Sequence, residues 1–154
     1  MKRILFRTCT AAAAAFALAL SLAACGGDDD SPKARKEARA DFKKDAEKIC
    51  TKAVADIKKL PEELGPDPSQ AQIAKILDKV GDGFLAEVAA LRKLDPPKAQ
   101  EKAVEEWLDA FAAAAEETKK KGAKLLDNGA ASPYAKPDEL ARKLGIDGCL
   151  SSAS

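Results

Sequence analysis

A chain of 154 residues is long enough for one domain with a real core and too short for two. Hydrophobic residues make up 46%, much of it alanine, and only 5% are aromatic, so strand formers are few and helix is favoured throughout. Twenty-six basic residues balance 25 acidic ones and histidine is absent, which argues against a dedicated nucleic-acid binder and removes the commonest acid–base residue and metal ligand.

The chain opens with Lys2, Arg3 and Arg7 and then runs almost wholly apolar from Ala11 to Ala24. Positive start and apolar run are the plan of a secretory signal. A membrane-spanning helix needs about 20 apolar residues, and this run is shorter. It ends in Leu22-Ala23-Ala24-Cys25-Gly26. That sequence resembles the lipobox of bacterial lipoproteins. The resemblance implies a diacylglycerol in thioether linkage to Cys25 and cleavage between Ala24 and Cys25. Small residues at 23 and 24 suit a narrow protease cleft, and the cysteine thiolate is the nucleophile that takes up the lipid. The alternative is an ordinary cleaved signal with a chance cysteine. Removal of residues 1–24 would take three of the 26 basic residues and no acid, leaving a net charge near −2. Cys9 would leave with them. The expected location is the extracytoplasmic face of the cell membrane, with lipid on Cys25 as the only cofactor-like group.

Gly26-Gly27-Asp28-Asp29-Asp30 has nothing to bury and reads, over 25–31, as a tether. About ten flexible residues reach about 17 Å, close to the membrane. Ser31-Pro32 has the form of a helix cap and first position. Phe42, Ala46, Ile49, Cys50, Ala53, Ile57 and Leu60 then recur at spacings of three and four, predicting a helix over 32–60 stopped by Pro61. Asp67-Pro68-Ser69-Gln70 predicts a second helix, with Asp67 as cap and Gln70 completing a capping-box spacing. Its stripe is Ile73, Ile76, Leu77, Val80, Phe84, Val88 and Leu91, and Gly81 and Gly83 inside it predict a kink or a close helix crossing.

Asp95-Pro96-Pro97 separates the second helix from a third, striped by Val104, Trp107, Leu108, Phe111, Ala114, Ala115, Thr118, Leu125 and Leu126 and closed by Asn128-Gly129. Pro137-Asp138-Glu139 starts a short fourth helix with Leu140 and Leu144 facing inward and Gly145-Ile146 as its stop. The expected fold is all-α: an antiparallel bundle of three long helices and a short C-terminal one over 32–150, with 151–154 as a tail.

With Cys9 removed and Cys25 lipidated, Cys50 and Cys149 remain. Outside the cytoplasm they can pair. Closing a loop of about 100 residues contributes up to about 4.7 kcal/mol in the chain-entropy model. Two buried free thiols are the alternative. A redox or metal role lacks both a Cys-x-x-Cys spacing and histidine.

Other candidates for chemistry have plain counterparts. Glu101, Glu105 and Asp109 form one helical row able to face a cation, but Lys98 and Lys102 stand beside it, as on a solvated face. Glu116 and Glu117 point to different sides of a helix and make no acid–base pair. Trp107, with Phe84 and Phe111, would line a ligand cavity, yet all three sit at core spacing. The Asp and Glu positions are expected on wet faces with ordinary pKa values. Lys33, Arg35, Lys36, Arg39, Lys43 and Lys44, against Glu37 and Asp41, form a basic stretch after the tether. It suits either anionic headgroups or plain solvent, and Asp28–Asp30 oppose the first.

Ile49-Cys50-Thr51, Leu60-Pro61, Leu91-x-x-Leu94-Asp95-Pro96-Pro97 and Leu144-Gly145-Ile146-x-x-Cys149, together with the lipobox, resemble the small alanine-rich helical lipoproteins and secreted proteins of high-GC Gram-positive bacteria. The resemblance implies fold and location and brings no activity with it. The expectation is a non-catalytic bundle, tethered to the membrane, that contacts another envelope protein and no nucleic acid. The alternative is a carrier of a small apolar ligand between the helices.

Overall fold

Ser31 opens the part of the chain that the structure, a computed structural model, describes: residues 31–126 and 131–151. The expected signal segment with Leu22, Ala23, Ala24 and Cys25, the expected tether up to Asp30, Asn128-Gly129 and residues 152–154 lie outside it. Helix α1 spans Pro32–Ile57, with the Ser31 hydroxyl accepting the Ala34 N–H at 3.2 Å. This satisfies one of the four donors that every helix start leaves unpaired. The helix ends three residues short of the expected Leu60. Pro61 sits in a tighter 3₁₀ turn over Leu60–Glu63, because proline has no N–H to continue an α-helical ladder.

Helix α2 spans Gln70–Leu91 and corrects the expected cap. Ser69, not Asp67, caps it, and Gln72, not Gln70, completes the box. The Ser69 Oγ accepts from Gln72 N–H at 3.4 Å and the Gln72 Oε1 accepts from Ser69 N–H at 2.9 Å. Two orphan donors are satisfied by one pair of residues, which Asp67 followed by a proline does not achieve.

Helix α3 spans Glu101–Lys121, after a 3₁₀ turn over Lys98–Gln100. It stops at Gly122 and not at Asn128-Gly129, and a further 3₁₀ turn follows over Gly122–Leu126. The expected stripe therefore loses its last members: Leu126 is 62% exposed. Helix α4 spans Ala135–Leu144. Gly145 ends it in the left-handed region (φ 75°), which glycine enters without a Cβ clash. Ile146 N–H then donates to the Ala141 carbonyl at 3.1 Å, and its side chain is buried, the expected stop with a hydrophobic follow-on contact.

The described residues are all-α, and α2 against α3 is the principal packing. Asp82 pairs with Lys119, Phe84 meets Phe111 and Arg92 pairs with Asp109, so the two helices run antiparallel. Gly81 permits the close crossing that its sequence position suggests: a Cβ there would come within 2.9 Å of the Ala115 carbonyl oxygen. Trp107, Phe111, Leu91, Ile146 and Cys50 are the largest fully buried side chains.

The end of the chain closes over α1. Cys50 and Cys149 form a disulfide, with Cα atoms 5.0 Å apart and a sequence separation of 99. One turn earlier on α1, Glu47 accepts the Gly148 N–H at 3.3 Å. Two turns earlier still, the Arg39 guanidinium reaches the Leu144 carbonyl at 3.5 Å, a cation at the C-terminal end of α4, where the helix dipole favours one. Positions 39, 47 and 50 fall on one side of α1, so a single helix edge meets the terminal segment at Leu144, Gly148 and Cys149.

Candidate functional site

The three residues expected to line a cavity come together. Phe84 and Phe111 have ring centroids 5.3 Å apart, and Trp107 stacks on Phe111 at 6.3 Å. Tyr134, not singled out in the sequence, completes the cluster at 4.9 Å from Phe84 and 6.0 Å from Phe111. All four rings are less than a tenth exposed. Phe84, Phe111 and Tyr134 meet in tilted and edge-on arrangements, and Trp107 extends the cluster by stacking on Phe111, geometries that aromatic quadrupoles favour.

The polar atoms around this cluster are sparse, and each has a position to account for. The Thr118 hydroxyl donates to the Ala114 carbonyl at 2.9 Å. Its hydrogen is thereby used, so the Tyr134 hydroxyl is the donor in the 2.9 Å contact with Thr118 Oγ1. Burial, with the nearby Glu87 and Asp138 charges as lesser causes, pushes the Tyr134 phenol up to about 12. It remains a donor across the physiological range.

Glu87 overturns the expectation that the acids lie on wet faces. It is 4% exposed, and its Oε2 has no hydrogen-bond partner. Burial pushes its carboxyl up to about 8 from an ordinary value of 4.5, so it is mostly protonated at pH 7. Spacing was the signal that betrays it. Glu87 stands three residues after Phe84 and four before Leu91, within the α2 stripe, where residue type alone had set it aside. Trp107 Nε1 is likewise buried without a partner. An orphaned donor and an orphaned carboxyl oxygen sit on the two helices that pack most closely.

Asp138 is the other acid drawn inward. It accepts from the Ser151 N–H and hydroxyl, both at 2.9 Å, and so fastens the last described residue to α4. The row of Glu101, Glu105 and Asp109 stays on an exposed face, where Asp109 takes Arg92 at 2.6 Å. Among the described residues no group of three or more His, Cys, Asp and Glu side chains is placed to hold a metal ion. Glu116, Glu117, Lys120 and Lys121 line a shallow hollow on the outer side of α3, open to solvent, with Lys121 paired to Glu117.

No helix among the described residues is long and apolar enough to cross a membrane. The chain matches no protein-family model, no curated protein and no solved structure.

Proposed function

We propose that the protein is a lipoprotein held on the extracytoplasmic face of the cell membrane through Cys25, and that its helical domain is a non-catalytic module that binds another envelope component. The sequence Leu22-Ala23-Ala24-Cys25, behind a basic start and an apolar run, carries the anchoring part of this reading. Two or more acyl chains give stable anchoring where one gives only marginal binding. The ring-on-ring contacts of Phe84, Trp107, Phe111 and Tyr134 support a domain that works from its surface. A carrier would need those rings apart, so that reading has less support. An anchored module gains local concentration near envelope partners, which lets a weak contact suffice.

Changing Cys25 to Ser tests the anchor. The variant should accumulate as an unlipidated, uncleaved precursor, and a lipid-bearing mature chain from it would overturn the reading. Crosslinking of the native protein in its own cells, followed by mass spectrometry, tests the module: an envelope protein should be recovered with the native chain and lost with the Cys25 variant. A purified domain that turned over a substrate, with turnover abolished by changing one carboxylate, would overturn the non-catalytic part.

A further inference from the structure

The first ten residues of α1 bury almost no surface. From Pro32 to Asp41 every residue is exposed except Ala34, which is half-buried, and the first buried side chain is Phe42. Ten helical residues span about 15 Å, so α1 projects almost three turns beyond the core. Isolated helices of this length are marginal in water. The Ser31 cap, the helix's own ladder, the exposed Lys33–Glu37 pair and the weak Arg39 contact with Leu144 are among the interactions of this stretch.

Its charges are sorted by face. At about 100° per residue, Lys33, Lys36, Lys43 and Lys44 fall within an arc of about 100°, turned about 110° from the row of Phe42, Ala46 and Cys50. Asp41 and Asp45 fall on the opposite flank. Glu37 and Glu47 share the lysine side, and their pairs with Lys33 and Lys43 are long, at 3.9 and 3.7 Å, the first largely exposed and the second half-buried. Such pairs contribute little and are easily exchanged.

We infer that this lysine face, which runs along the N-terminal end of α1 from Lys33 to Lys44, lies against anionic lipid headgroups. The inference rests on the anchoring reading above, since the anchor would keep this end of α1 close to the bilayer. Only five residues lie between Cys25 and Ser31, and the six steps along the chain extend about 20 Å at most. A lipid on Cys25 thus holds the first turn of α1 within about 20 Å of the bilayer. On this face four lysines stand against Glu37 and Glu47, a net positive surface complementary to an anionic one. Asp28–Asp30 sit nearer the anchor, but at physiological salt charges are screened over about 8 Å, and Lys43 and Lys44 lie about 15–18 Å along the helix from its start.

Amine labelling of the lipidated mature protein tests this, with vesicles of pure phosphatidylcholine compared with equal parts phosphatidylcholine and phosphatidylglycerol. Lys33, Lys36, Lys43 and Lys44 should label about fivefold more slowly on the anionic vesicles, and high salt should erase the difference. The exposed Lys58, Lys75 and Lys120 should label alike on both. A double variant, Lys36→Glu with Lys44→Glu, should keep its melting temperature and lose the difference. Equal labelling of all lysines on the two vesicles would overturn the inference and leave the anchor intact. The mass of the same mature chain reads the anchor separately. If lipid is missing there, the anchoring reading fails, and co-sedimentation of that chain with the anionic vesicles then decides the lysine contact: pelleting retains it and a clear supernatant overturns it.

Discussion

The two ends of the described chain are opposites. The N-terminal ten residues of α1 are regular helix and almost wholly exposed; the segment from Gly145 to Ser151 has no more than a 3₁₀ turn over Asp147–Cys149, yet Ile146 and Cys149 are buried and only Asp147 is exposed. The first is held by a cap and its own ladder. The second is held by a disulfide, by Glu47 on Gly148, by Asp138 on Ser151 and by the burial of Ile146. Regular secondary structure is therefore a poor guide to which segment stabilises the fold. What matters is apolar area removed from water and crosslinks to distant residues.

The closed part depends on a dry interior, and Glu87 is the place to break it. Below pH 4.5 its carboxyl is protonated in the folded and unfolded chain alike. Between 4.5 and about 8 the unfolded chain releases a proton that the folded one keeps, so stability falls as pH rises through that window and levels off above it. The loss should reach as much as about 5 kcal/mol at roughly 1.4 kcal/mol per pH unit. Urea melts of native protein and Glu87→Gln between pH 5 and 9 measure it. The difference between the two should shrink with falling pH; parallel curves would mean that Glu87 is ionised in place.

Next in size is the bond that ties the irregular end down. Cys149→Ser, or reduction, should cost about 4 kcal/mol and lower the melting temperature by more than about 10 °C. Thiol titration of the unfolded, unreduced protein from its own host should find neither Cys50 nor Cys149 free. Asp138→Ala should cost about 2 kcal/mol, since it leaves Ser151 without both of its partners. Its effect should vanish in the Cys149→Ser background if the tail has already come loose there, which a double-mutant cycle by denaturant melts would show.

The sequence made the closed end and the helices legible to different degrees. Periodicity located all four helices, and the leftover cysteines, Cys50 and Cys149, pointed to the disulfide. Boundaries failed where two local devices compete. Asp67 and Ser69 are both good caps, and only the reciprocal bonds to Gln72 favour Ser69. Leu125 and Leu126 keep the α3 period, yet Gly122 had already turned the chain away. Glu87 was missed because a charged letter interrupts an apolar stripe, although its spacing from Phe84 and Leu91 put it inside. Tyr134 was missed because it lies outside any helix period, in the loop before α4; only tertiary packing brings it to Phe84 and Phe111. The basic face of α1 was visible as letters, but its lack of packing was not, since Ala34, Ala38 and Ala40 read equally well as a continuing helix against a core.

The smallest expected effect is also the sharpest contrast between the two ends. Ala38→Pro removes an interior helical hydrogen bond and clashes with the turn before it, a local cost of about 3 kcal/mol. Ala38 is exposed and lies before the first buried residue, Phe42. The overhang can therefore unravel without uncovering the core, and the melting temperature should move by less than about 2 °C while helical circular dichroism falls by about one to two turns. Lys48→Pro makes the same chemical change at an equally exposed position, but between Ala46 and Cys50, both fully buried. There the broken turn must pull the packed face and the disulfide out of register, and about 3 kcal/mol should appear in global stability. Equal losses from the two prolines would mean that the overhang carries tertiary contacts of its own, and the contrast between the two ends would fail.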